Sequence, residues 1–246
     1  MKNYPVLFIS GIDTDAGKTY ATAWLARKIA AAGRSVITQK FIQTGCRDSS
    51  EDIEAHRRLC GLPLQPCDID GTTAPIIFSY PASAQLAARI DGREIDLSLV
   101  DDATGKLLEQ FDCVLVEGAG GLMVPVTDDH TTIDYIASRR LPVVLVTNGR
   151  LGSINHTLLS LEALSRRGIE LAAVVYNHYF DSDTVIAADT RSFIGRYVAR
   201  HFPDTEVFDL EVLHDLFFCF TFAVQKRREC GVNPQQFLLL YFPGNC

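Results

Sequence analysis

The chain has no C-x-x-C pair, no block of basic residues, no internal repeat and no Pro/Gly/Ser-rich linker. Each absence removes a class of protein. Its seven cysteines, an odd number, are scattered among apolar or mixed contexts, which suits reduced thiols and argues against a disulfide framework or sulfur-ligated zinc. Lysine and arginine total 23 against 30 acidic residues, and the net charge of −7 leaves neither half with the cationic footprint that nucleic acid or an acidic membrane surface needs. The opening "MKNYPVLFISGIDTD" lacks a secretory cleavage pattern, and no apolar run approaches the ~20 residues of a spanning helix. A cytoplasmic protein is expected.

What is present is a long enough and apolar enough chain for one large α/β domain: 246 residues, 47% of them hydrophobic. Short apolar runs, "VLFIS" at 6–10, "SVITQ" at 35–39, "CVLVE" at 113–117, "VVLVT" at 143–147 and "LAAVVY" at 171–176, read as strands buried on both faces. Helical patterns separate them. Val100, Ala103, Thr104, Leu107, Leu108 and Phe111, for example, make one stripe at helical spacing. Alternation of this kind predicts a mostly parallel sheet with helices on both faces, whose ligands bind in the loops at the carboxyl ends of the strands. Residues 1–213 are expected to form this single domain. The stretch 214–246 holds six of the fourteen phenylalanines without strand-helix alternation, and reads as an atypical tail, either an added packing or dimer element or poorly ordered.

The first such loop, "GIDTDAGKT", carries chemistry. A buried strand leads into it, Gly11 and Gly17 permit close backbone approach, and the following helix offers unpaired N–H groups to an anion. Lys18 would neutralise β- and γ-phosphates and the Thr19 hydroxyl would bind Mg²⁺, a P-loop NTPase-like arrangement in which Ile12 takes the place of the usual first glycine. Magnesium prefers oxygen ligands, so carboxylates are needed as well. Glu117, at the end of "CVLVE", is one candidate, followed by Gly118, Gly120 and Gly121, which are expected to turn the chain tightly with N–H groups facing an oxyanion. Asp52 in "SSEDIEAHRRL" is a second, although a carboxylate in a first helical turn is by itself more often a dipole partner. Lys40 in "QKFIQTG" can reach a transferring phosphoryl group, and Thr44 offers a hydroxyl to a small substrate. In "NGRLGSINHTLLSLEAL", Gly152 and Ser153 precede a helix whose start would accept a carboxylate; the competing reading makes Ser153 or Asn155 a plain cap and His156 a surface histidine.

Taken together and in order, "GIDTDAGKT", "KFIQTG", "EDIEAH", "VEGAGGLMVP" and "LGSINHTLLSLEAL" resemble dethiobiotin synthetases over roughly residues 6–177. The resemblance implies a homodimer that converts 7,8-diaminononanoate, CO₂ and ATP to dethiobiotin, ADP and phosphate with Mg²⁺. It implies an ATP loop of Thr14, Asp15, Ala16, Gly17, Lys18, Thr19 and Tyr20, with Gly118 beside the nucleotide and Asn177 recognising adenine. Mg²⁺ would be held by Thr19, Asp52 and Glu117. Lys18, Lys40 and Thr14 would act on the γ-phosphate, while Lys40, Thr44, Gly120 and the segment Leu151, Gly152, Ser153, Ile154 and Asn155 would hold substrate, that segment reaching it from the neighbouring subunit. Asp15 and Ala16 stand where Glu and Val are usual, Arg150 where lysine is frequent, and "TEVFDLEVL" offers no counterpart to a Gly-x-Ile-Pro segment against adenine. A MinD- or ParA-like ATPase switch is the rival, but such switches carry an early loop lysine where this chain has Asp13.

Overall fold

The structure, a computed structural model, describes residues 2–211, so the reading of the stretch 214–246 lies outside the described residues. In chain order the elements are β1 (Val6–Gly11), α1 (Lys18–Ala31), β2 (Val36–Lys40), β3 (Gln43–Thr44), α2 (Glu51–Cys60), α3 (Pro66–Ile69), β4 (Ile77–Phe78), α4 (Ala84–Ile90) and α5 (Ser98–Leu108). They continue as β5 (Cys113–Gly121), α6 (Thr132–Ser138), β6 (Val143–Asn148), α7 (Ser153–Arg166), β7 (Leu171–Asn177), α8 (Thr184–His201) and β8 (Glu206–Leu210).

Six strands form one sheet in the order β2-β5-β1-β6-β7-β8, with every pairing parallel. The period of two in each strand explains why both faces are covered. Phe8, Ile37, Val114, Val116, Leu145 and Val174 point to one face, where α4 to α8 add Ala87, Val100, Leu107, Ile133, Leu161, Ile194 and Val198. Leu7, Ile9, Leu115, Val144, Val146 and Val175 point to the other, under Ala21, Leu25 and Ile29 of α1. Each Val, Leu, Ile or Phe among them removed from water is worth about 1.5–3 kcal/mol, so the two-faced core, more than helix propensity, holds the crossovers in place.

Three expectations change. β5 does not stop at Glu117 but runs on through Gly121, with Gly11 opposite Gly121 in the ladder. The turn comes later. Gly118 is small because a Cβ there would meet the Phe8 ring at 2.9 Å, and within this run it is Gly120, at φ +69°, that takes a left-handed backbone. In α5, Val100, Ala103 and Leu107 are buried, but Leu108 is exposed; Phe111 lies past the helix end yet still packs, partly buried, against the same core. Lastly, "TEVFDLEVL" supplies an unforeseen sixth strand: β8 is an edge, so its burial pattern is weaker than that of the central runs.

Candidate functional site

Parallel pairing sends the ends of β1, β2, β5, β6 and β7 to one edge of the sheet, and the register decides which side chains meet there. Lys40 closes β2 directly beside Glu117 on β5. Its ammonium lies 2.9 Å from Oε1 of Glu117, 2.5 Å from Oδ2 of Asp52 and 3.2 Å from the Gly118 carbonyl. The Thr19 hydroxyl, one residue into α1, is 3.0 Å from Oδ1 of Asp52 and 3.2 Å from Oε1 of Glu117. Asp52 gets there because Ser50 caps α2, accepting a hydrogen bond from the Ile53 N–H and starting the helix one turn from the site.

Charge here is tightly constrained. Burial alone would push the Glu117 carboxyl up, but the Lys40 ammonium and the His56 N–H outweigh it and hold it well below the usual carboxylate range. Burial pulls Lys40 down, and Glu117 and Asp52 more than reverse that. Lys18 differs: burial dominates and lowers its pKa despite the Glu117 charge, and its Nζ donates to the Asp13 carbonyl at 3.0 Å. The loop thus curls over its own lysine. Its backbone is unusual as well, with Asp15 at φ +46° and Gly17 at φ +96°. A Cβ at Gly17 would run into the Asn177 amide, whose Nδ2 donates to the Ala16 carbonyl at 3.2 Å while its Oδ1 accepts from the Tyr179 N–H at 3.1 Å.

Of the residues singled out from sequence, Thr19, Lys40, Asp52, Glu117 and Gly118 therefore converge, and Lys18, Ala16, Gly17 and Asn177 join them through the loop. Thr14, Asp15 and Tyr20 lie on the exposed side of loop and helix. Thr44, half-buried, lies on the small β3–β4 ladder next to Gln43, whose Oε1 accepts from the Ser50 cap of α2 at 2.5 Å. Leu151, Gly152 and Asn155 are exposed at the start of α7, Leu151 at 88%, and Gly152, not Ser153 or Asn155, is the cap residue; Ser153 is buried and donates to Asn148 Oδ1 at 2.6 Å, with Ile154 half-buried behind it. An open cleft of about 450 Å³ runs between the loop residues Ile12 and Thr14, the segment from Gly121 to Pro125, and His156 and Leu159 of α7.

Sequence reading passed over His56, which is sealed from solvent with Nε2 at 2.6 Å from Oε2 of Glu117. A signal existed: His56 follows Asp52 by four residues, the spacing that puts both on one helix face. The oxygens also fit a hard dication, since two carboxylates and a hydroxyl converge at one point beside the phosphate loop.

A glycine-bearing loop between the first strand and first helix of an open parallel sheet, with acidic and hydroxyl side chains converging beside it, defines a P-loop nucleotide-binding protein. Residues 6–206 match the family model described as an AAA domain. The chain is 49% identical over 207 residues to the "ATP-dependent dethiobiotin synthetase BioD 2" of Pasteurella multocida, covering 83% of this chain and 97% of that protein. It is 52% identical over 206 residues to the "ATP-dependent dethiobiotin synthetase BioD" of Chlorobaculum tepidum, covering 83% and 86%. Among solved structures, chloroplast FtsY from Physcomitrella patens superposes with a TM-score of 0.48 at 17% identity, covering 89% of this chain and 64% of that one, a likeness too loose to carry an argument. The chain belongs to the ATP-dependent dethiobiotin synthetase family.

Proposed function

We infer that the chain joins CO₂ to 7,8-diaminononanoate at the expense of ATP, giving dethiobiotin, ADP and phosphate in biotin synthesis. The observation that carries this reading is the meeting of Lys40, Asp52, Glu117 and Thr19 beside Lys18 at one sheet edge. Thr19, Asp52 and Glu117 would hold Mg²⁺, whose contribution when bound is to neutralise charge on the triphosphate. One amine takes up CO₂ as a carbamate, whose oxygen attacks the γ-phosphorus as ADP leaves. The second amine then attacks the carbamoyl carbon, closes the cyclic urea and expels phosphate. No protein nucleophile is required. What the chain supplies is position and charge: Lys18 and Lys40 as fixed cations and the loop N–H groups as donors.

Asn177 is read as the adenine contact, and the whole activity as residing in residues 1–213 of a cytoplasmic homodimer. The exposure of Leu159 in the cleft lining, and of Leu151 just before α7, supports a partner subunit on that side. The test incubates purified full chain with Mg·ATP, bicarbonate and 7,8-diaminononanoate and follows phosphate and the cyclic urea together. Equal yields of both are expected. ATP turnover that ignores the diamine would overturn the reading in favour of a partner-binding switch.

A further inference from the structure

Behind Glu117 lies a line of buried polar groups that the reaction as derived does not use. Arg57 grips Asp68 with two hydrogen bonds of 2.8 Å, from Nε and Nη2, and its Nη1 donates to Thr38 Oγ1 at 2.8 Å. Thr38 Oγ1 is 3.0 Å from His56 Nδ1, and His56 Nε2 is 2.6 Å from Oε2 of Glu117. The docking has a simple geometric origin. Four residues of helix advance about 6 Å, and two residues of strand about 6.6 Å. Asp52 and His56 of α2 therefore fall opposite Lys40 and Thr38 of β2.

Counting donors and acceptors assigns a direction to each bond. Guanidinium has no acceptor, so Arg57 must use the Thr38 oxygen as its acceptor. Glu117, lying against the Lys40 ammonium, offers only acceptors, so the His56 Nε2 carries a proton. The hydroxyl proton of Thr38 then has His56 Nδ1 in reach, which satisfies both; a proton on Nδ1 would set two donors against that hydroxyl and leave its own proton unpaired in a sealed interior.

We propose that His56 is a positioning residue, the last member of a one-way relay Arg57–Thr38–His56–Glu117 anchored on Asp68, which fixes Oε2 of Glu117 so that Oε1 faces Thr19 and Lys40. This rests on the reading of Glu117 as a magnesium ligand. Outer hydrogen-bond partners of a ligand typically change metal affinity 10–100-fold when removed. His56→Leu fills the space without the N–H, and His56→Gln returns an amide donor.

The first measurement uses the unliganded wild-type full chain: ¹⁵N-imidazole NMR, with His56 assigned by the signal lost in His56→Gln, is expected to show one protonated nitrogen, Nε2, and one bare nitrogen, Nδ1. The second is calorimetric titration of ADP at graded MgCl₂. His56→Leu should need about 10–100-fold more Mg²⁺ for the same ADP affinity, His56→Gln should recover most of it, and turnover at saturating Mg²⁺ should fall far less. A proton on Nδ1, or a His56→Leu protein with lower melting temperature and unchanged Mg²⁺ dependence, would overturn the relay. If His56→Leu does not fold, the wild-type spectrum and the His56→Gln titration decide alone. A wild type that binds ADP with Mg²⁺ and shows the Nε2 proton, yet makes no cyclic urea, would overturn the functional reading and leave the relay standing.

Discussion

His56 and His178 both lie against carboxylates, and the chain treats them in opposite ways. His56 is sealed, with a carboxylate at one ring nitrogen and a hydroxyl at the other. His178, just past β7, is a quarter exposed and has carboxylates at both nitrogens, Asp181 at 2.7 Å and Asp209 at 2.9 Å. Two acceptors demand two N–H donors, so His178 is served best as a cation, whereas His56 needs a single proton to complete its relay. The wider surroundings repeat the contrast: Arg57–Asp68 beside the first histidine is almost fully buried, while Arg191–Asp209 beside the second is open to water. In the interior, order and direction of hydrogen bonds carry the design. At the rim, charge does.

The largest test of that difference is structural. Arg57→Ala leaves Asp68 buried without its cation and should cost about 3–5 kcal/mol in urea unfolding, against about 0–1 kcal/mol for Arg191→Ala at the rim. Equal losses would erase the distinction. Next comes turnover: Glu117→Gln removes the charge facing Lys40 and should lower kcat on the order of 10²–10³-fold, while His178→Asn is expected to leave kcat nearly unchanged in the same phosphate-release assay. Smaller again is Gly17→Ala, at the contact between the loop and Asn177, where a left-handed backbone and the collision with the amide should cost about 1–3 kcal/mol, seen as a lower melting temperature and weaker ADP binding.

The subtlest test is pH. Burial lowers the His178 pKa, but hydrogen bonds to Asp181 and Asp209 outweigh it and the pKa ends raised. A raised folded pKa means stabilisation that is complete below the unfolded value of about 6.5 and lost as pH climbs through the folded one. The gap in melting temperature between wild type and His178→Asn should therefore be widest near pH 6 and narrow with rising pH. A gap that widens would show that His178 is held uncharged.

Much of this was legible in the sequence because it is written in period-two burial and in a contiguous loop. Strands β1, β2, β5, β6 and β7, the phosphate loop and Glu117 as a candidate ligand were legible in local pattern, whereas Lys40 and Asp52, each ordinary alone, stood out only when the motifs were taken together and in order. What escaped depends on relations between distant segments. β8 is an edge strand with a weak pattern, the continuation of β5 through its glycines follows from Phe8 packing over Gly118, and His56 matters only because α2 docks on β2 in one register. Lys18 bending back to the Asp13 carbonyl likewise follows from loop curvature that residue type does not reveal.

Lys40 and Glu117 are partners across one rung of a parallel ladder, yet 77 residues apart along the chain. Contacts of that separation are among the slow ones to form during folding. The centre is complete only when β5 has taken its place between β2 and β1, so its assembly and the closing of the sheet are one event.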